Sequence, residues 1–150
     1  MNAIDMLKTD HKAIRQLFAR FDKIDVKDHS AQKNLVSELV TLLHSHAAIE
    51  EGQFYPAVAK AEAEPQAEIE AASEEHEHMD KMVDDLAAMD ASDPKYRELF
   101  ITLRKELTEH MREEERDMLP AAKAALGTKR LDELGDAMAK QKQEQTPTSH

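Results

Sequence analysis

The feature that most constrains this chain is a motif written twice, "HAAIEEGQFYP" at residues 46–56 and "HMREEERDMLP" at residues 110–120. Both copies follow the pattern His-x-x-x-Glu-Glu-x-x-x-x-Pro. Shifting one copy onto the other also superimposes the preceding leucines, Leu35, Leu39 and Leu43 in the first half and Leu99, Leu103 and Leu107 in the second. A second repeat relates "DHKAIRQLFARF", from Asp10, to "EHEHMDKMVDDL", from Glu75. The chain therefore has two halves with the same order of local patterns.

Apolar residues in both halves keep the three- and four-residue spacing of amphipathic helices. Only 3 glycines, 5 prolines and 4% aromatic residues occur, so the composition also favours helices over strands. Four long helices are predicted. The first should span residues 3–24, and the second should run from Ser30, as N-cap, to about Ala63, with Pro56 bending or tightening it. The third should run from Pro65 to Met89. The fourth should begin at Pro94, capped by Ser92 or Asp93, and end in a left-handed cap at Gly127.

A short fifth helix is predicted over "LDELGDAMAKQK". Short loops between long helices place successive helices side by side in opposite directions. The sequence therefore predicts an all-α fold, an up-down antiparallel four-helix bundle with a short C-terminal helix. Residues 1–142 should form this single domain, and residues 143–150 a disordered tail.

The formal net charge of −11 argues against nucleic acid and anionic membranes as partners, because both require a basic surface. No stretch approaches the roughly 20 apolar residues of a membrane span, and none resembles a signal peptide, so we expect a cytoplasmic protein. The absence of cysteine excludes disulfides, thiolate ligands and thiol nucleophiles. Any site chemistry must use nitrogen and oxygen, and both a monomer and a homodimer remain open.

The two repeats place histidine and glutamate on the apolar faces of the helices. Residues four apart in a helix share a face, so each His-x-x-x-Glu pair can direct two side chains to one point. Buried imidazoles and carboxylates need partners, and a metal ion would satisfy several at once. The candidate ligands are His11, His46, Glu50, His76, His110 and Glu114.

Six ligands are too many for one tetrahedral ion but suit two ions that share carboxylates. Each ion would hold about three protein atoms, and oxo, hydroxo, water or an added molecule would fill the other positions. Imidazole and carboxylate suit iron, manganese or zinc, and two bridging carboxylates in a helical bundle favour iron.

Several acidic residues stand next to the candidate ligands. Asp10 and Glu75 could accept hydrogen bonds from ligands, although their position in sequence points them to another helix face. Glu51 and Glu115 lie one residue off the ligand face and are interpreted as surface charges or weak acceptors. All four are left outside the predicted ligand set.

Other residues near the motifs receive structural interpretations. Phe54 and Met118, one turn beyond the glutamates, should wall the site with apolar surface. Tyr55 is expected to pack, with a phenol near the metal as the alternative. The remaining histidines are expected to face solvent or to be inert, His44 and His78 on the helices, His29 in a loop and His150 in the tail.

Through "DH" at 10–11, "HAAIEE…YP", "EEH" at 74–76 and "HMREEERDMLP", the chain resembles the hemerythrin-like, or HHE cation-binding, domains from residue 4 to about 140. The resemblance implies an up-down bundle around a non-haem di-iron centre with an oxo or hydroxo bridge. It further implies Glu50 and Glu114 as bridging carboxylates and His11, His46, His76 and His110 as terminal ligands.

One position departs from the family pattern. Oxygen-carrying members have a further histidine four residues after the third-helix ligand, where this chain has Asp80. The departure disfavours reversible oxygen carriage and favours reaction with dioxygen, hydrogen peroxide or nitric oxide, including a catalase-like decomposition of peroxide. An iron-responsive sensor or iron-handling module acting through a partner is the alternative, and a metal-free structural bundle is a third. Whether Asp80 or Tyr55 supplies a ligand remains open.

Overall fold

The computed structural model describes residues 1–145 of the chain, and these residues contain helices but no strand. Two short π-helical turns, π1 and π2, interrupt the second and the fourth long helices. The elements in chain order are α1 (Ala3–Asp22), α2 (His29–Ile49), π1 (Glu50–Phe54), α3 (Tyr55–Lys60), α4 (Gln66–Ala88), α5 (Pro94–Glu113), π2 (Glu114–Met118) and α6 (Leu119–Gln145).

The helices form the predicted four-helix bundle. α1 packs on α2, α2 on α4, α4 on α5, and α5 returns to α1, while α6 packs along α1 and also touches α2 and π1. The all-α fold prediction is confirmed. None of the helices within residues 1–145 is long and apolar enough to cross a membrane.

Side-chain caps fix where the helices begin. Asn2 accepts a hydrogen bond from the amide of Asp5 at the start of α1. Asp28, not the predicted Ser30, caps α2, because its carboxylate accepts from the amide of Ala31. Asp93 caps α5 with Pro94 in the first turn, as predicted.

Both repeated prolines follow a widened turn rather than the predicted bend or tightening. The amide of Tyr55 donates to the carbonyl of Glu50, and that of Leu119 to Glu114, each a five-residue step. Proline has no amide donor and its ring crowds the preceding turn. The wider turn changes the hydrogen-bond spacing immediately before the proline, so the helix continues past it.

Gly127 interrupts α6 with φ 76° and ψ 170°. The positive φ agrees with the prediction, but the extended ψ differs from a left-handed helical cap, so the residue forms a kink between two helical parts. The second part contains the predicted short fifth helix and runs to Gln145. The predicted tail at 143–150 therefore overlaps α6 at its start, while residues 146–150 lie outside the described residues.

Two apolar clusters fill the bundle on either side of a polar layer. One contains Phe21 and Phe100, whose rings stack with centroids 3.7 Å apart. The other contains Leu7, Ile49 and residues of α6. Between them lie buried histidines, glutamates and an aspartate. Burial of the apolar clusters stabilises the bundle and holds the polar layer away from water.

Gly135 of α6 packs closely against the backbone at the start of α1. A Cβ atom there would meet backbone atoms of Met1, Asn2 and Ala3 at the start of α1. We expect Gly135→Ala to lower the free energy of unfolding by about 1–3 kcal/mol, because one of the two segments must shift. Denaturant unfolding of the metal-free protein would measure this, with the exposed Asp136→Ala as control. Equal stability of the two variants would contradict the close packing.

Candidate metal site

Six side chains of the polar layer converge between the helices. α1, α2, α4 and α5 each supply one histidine, and each π turn begins with one glutamate, so the widened turns start at the residues that point inward. All six residues are at most 6% exposed. They are the residues predicted from the sequence, His11, His46, Glu50, His76, His110 and Glu114.

The six side chains form two overlapping groups that share both glutamates. Position A is defined by His11, His46, Glu50 and Glu114, and its ligand atoms lie within 4.8 Å of one another. Position B is defined by the same two glutamates with His76 and His110, within the same distance. Each position could hold one metal ion.

Each glutamate contacts one histidine of each position. Glu50 Oε1 lies 3.2 Å from His46 Nε2 and 3.1 Å from His76 Nε2. Glu114 Oε1 lies 3.1 Å from His11 Nε2, and its Oε2 lies 3.3 Å from His110 Nε2. Both carboxylates therefore stand between the two positions, where a bridging ligand must lie.

The outer nitrogen of every one of these histidines faces a carboxylate. In each pair the Nδ1–H donates to the carboxylate oxygen, and Nε2 is directed to the centre of the layer, where it can bind a metal ion in its unprotonated form. The pairs are His11 with Glu115 (2.7 Å), His46 with Asp10 (2.9 Å), His76 with Glu51 (2.9 Å) and His110 with Glu75 (2.7 Å).

The sequence alone does not decide the role of these four carboxylates, for which acceptance from histidines was one of the alternatives. Glu51 and Glu115 are not simply surface charges, and Asp10 and Glu75 do accept from histidines. Each one is adjacent in sequence to a candidate ligand but serves a histidine on another helix. The sequence contains a signal for this arrangement. The residue next in sequence to an inward-facing residue lies about 100° further round the helix, where it faces the next helix.

Tyr55 also belongs to the site, which corrects the expectation that it only packs. Its hydroxyl donates to Glu114 Oε2 at 2.7 Å and lies 3.2 Å from His76 Nε2. Its ring stacks on that of His76, with centroids 5.3 Å apart. Burial, together with the charges of Glu50 and Glu114, raises the pKa of Tyr55 well above its usual range, so the phenol keeps its proton.

The centre of the layer contains polar atoms that the protein leaves unsatisfied. His11 Nε2, His46 Nε2, both oxygens of Glu50 and Glu114 Oε1 are buried and have no hydrogen bond. His76 Nε2 and His110 Nε2 lie only 3.1 Å apart. Unsatisfied buried polar atoms are rare and destabilising. The donor set fits cations, which would accept all of these lone pairs together.

The buried carboxylates of the layer raise the pKa of two of its histidines. Burial by itself lowers the pKa of His46, but the charge of Glu50 and the hydrogen bond to Asp10 outweigh it and raise the pKa to about 10. The pKa of His110 rises to about 9, because its hydrogen bond to Glu114 and the charges of Glu114 and Glu50 likewise outweigh burial. A bound cation would replace the protons that these higher pKa values favour.

The remaining predicted residues lie around the site. Phe54 and Met118 are buried beyond the glutamates. Asp80 lies outside both groups, in a cleft that it shares with His76. The exposed His44 and His78 pair with Asp84 and Glu106. His29 begins α2 rather than lying in a loop, and His150 is outside the described residues.

The buried layer of this helical bundle contains two pairs of histidines that share two glutamates. Such a layer is typical of helical proteins that bind cations. The family model described as Hemerythrin HHE cation binding domain matches residues 2–122. The chain belongs to this family, as the resemblance predicted.

Relatives and a solved structure agree with this assignment. The uncharacterized protein Rv2633c of Mycobacterium tuberculosis is 31% identical over 140 residues, which cover 93% of this chain and 84% of that protein. The uncharacterized protein Mb2666c of Mycobacterium bovis matches equally. The crystal structure of a hemerythrin HHE cation binding domain-containing protein from Mycobacterium kansasii, an Rv2633c homolog, superimposes with a TM-score of 0.83 and 29% identity, over 97% of this chain and 87% of that one.

Loss of an outer carboxylate should weaken metal binding. We expect Glu51→Ala to lower the affinity for a divalent metal about 10- to 100-fold, because His76 loses the acceptor that fixes its tautomer and orientation. Competition with a chromophoric chelator would measure this. Glu70→Ala removes an exposed carboxylate of the same chain and serves as control. Equal affinities of the two variants would show that the outer hydrogen bond does not matter.

Proposed function

We propose that the chain binds two iron ions, one at position A and one at position B, and reacts with a small oxidant such as dioxygen, hydrogen peroxide or nitric oxide. In this proposal Glu50 and Glu114 bridge the ions. His11 and His46 complete position A, and His76 and His110 complete position B. The observation that carries the proposal is the sharing of two buried glutamates by two groups of ligands.

The donor set supports two ions of an imidazole- and carboxylate-binding transition metal. One ion would leave part of the six ligands unsatisfied in a buried layer, whereas two ions use each Nε2 once and each glutamate twice. Oxygen and nitrogen donors suit iron, and also manganese or zinc. Iron would supply the redox chemistry that reduction of a small oxidant requires.

The protein around the site supports small ligands. A cavity of about 230 Å³ reaches His110 and Glu114, and another of about 430 Å³ reaches His76. These spaces admit molecules of a few atoms, and Met118 lines the first with apolar surface. The Tyr55 hydroxyl lies 2.7 Å from Glu114 Oε2, so it is placed to donate a proton to a molecule bound beside that carboxylate.

Metal analysis tests the composition of the site. We expect anaerobic loading with ferrous iron, followed by desalting, to leave two irons per chain by mass spectrometry. Glu50→Ala should lose at least one ion, since this glutamate contacts a histidine of each position. Glu70→Ala should retain both, and circular dichroism would check that each variant is folded. Wild-type protein that retains no metal would overturn the proposal. Retention of manganese or zinc, offered in place of iron, without retention of iron would overturn only the choice of iron.

Removal of the phenol hydroxyl tests the reaction. We expect Tyr55→Phe to retain two irons but to react with hydrogen peroxide about 100-fold more slowly in stopped-flow absorbance, as for loss of a general acid. Loss of an iron in this variant would instead indicate that Tyr55 is a ligand. A rate equal to that of the wild type, with both irons present, would exclude a role for its proton.

A further inference from the structure

The outer carboxylates of position A, which accept hydrogen bonds from its histidines, are paired with basic side chains. Asp10, which accepts from His46, is paired with Lys142, whose Nζ lies 2.5 Å from Asp10 Oδ1. Glu115, which accepts from His11, receives two hydrogen bonds of 3.1 Å from the guanidinium of Arg15. Position A is therefore surrounded by two negative and two positive charges.

The outer carboxylates of position B have a different environment. Glu51 accepts a hydrogen bond from the Ser73 hydroxyl, and neither it nor Glu75 pairs with a lysine or arginine within residues 1–145. Their side chains are 41% and 44% exposed, against 7% for Asp10. Position B thus keeps two uncompensated negative charges next to its histidines.

The second part of α6 carries Lys142 to position A. Gln141 donates to the carbonyl of Ala48, at the end of α2, and accepts from Gln53 in π1. A Cβ on Gly52 would lie 2.8 Å from the Gln141 side chain, so the two segments are in close contact. This part of α6 lies beyond residues 2–122, the range of the family match.

The clefts also distinguish the positions. The cavities of about 230 and 430 Å³ open to His110 and His76, the histidines of position B. Glu64, Glu68 and Asp117 add negative charge around the first of them. The cleft beside Lys142, on the other side of the bundle, contains none of the six candidate ligands.

From these contacts we infer that the two metal positions are unequal, and that the positive charges of Lys142 and Arg15 make them so. Position B binds the first cation and faces the incoming small ligand. Position A is a covered position with lower cation affinity, because the two basic side chains offset its carboxylates. This inference rests on the proposed two-metal function.

Stepwise loading tests the order of binding. Anaerobic calorimetric titration of the metal-free full-length chain with ferrous iron should show two steps. We expect His46→Ala to keep the first, tighter step and lose the second, and His76→Ala to lose the tighter step. Two steps of equal affinity, or loss of the tighter step only in His46→Ala, would overturn the inference. No uptake by the wild type would overturn the proposed function itself.

Charge removal tests the two basic residues. Lys142→Met and Arg15→Met should each raise the affinity of the second step roughly tenfold, because a positive charge near position A is lost. Lys142→Arg should behave as the wild type, and the exposed Lys140→Met and Lys12→Met are matched controls. An unchanged second step would overturn the electrostatic role. A weaker second step with an unchanged melting temperature would overturn it too, since it would show that Lys142 mainly holds Asp10 in place.

Discussion

The structure depends on the burial of ionisable groups in the middle of an apolar bundle. Two clusters of apolar side chains enclose a layer of histidines and carboxylates. Isolated charges in such a place would be strongly destabilising. The layer is stabilised because the outer histidine nitrogens are hydrogen-bonded to carboxylates and the inner nitrogens face the two buried glutamates, an arrangement that also fits a cation. The family of cation-binding domains to which the chain belongs fits this arrangement.

The hydrogen bonds behind the ligands connect the helices. Asp10 of α1 serves His46 of α2, and Glu75 of α4 serves His110 of α5. Glu51 and Glu115 make the same kind of link from the two π turns. Since each carboxylate belongs to another element than its histidine, a rotation of one helix would disturb ligands on two helices. The site geometry and the packing of the bundle therefore constrain each other.

A repeated sequence here produces a site with two unequal sides. The two halves supply matching candidate ligands and matching widened turns. The symmetry is broken by Arg15 on α1, whose equivalent in the second half is Asp80, and by Lys142 on the last helix, outside the repeat. Tyr55 adds a further difference, because the equivalent residue after the second π turn is Leu119. The chemistry of such a site is thus set partly by residues that no repeat reveals.

The sequence by itself determined the helices, the bundle and the set of six convergent residues. These depend on spacings of three, four or seven residues, which local backbone geometry converts directly into a shared helix face. Only the tertiary structure decided which carboxylate meets which histidine, that Tyr55 faces Glu114, and that Lys142 reaches Asp10. Those contacts join residues far apart in the chain, and they depend on the rotation of each helix about its axis and on the path of α6 after Gly127. Packing of the whole bundle fixes both, so no local pattern encodes them.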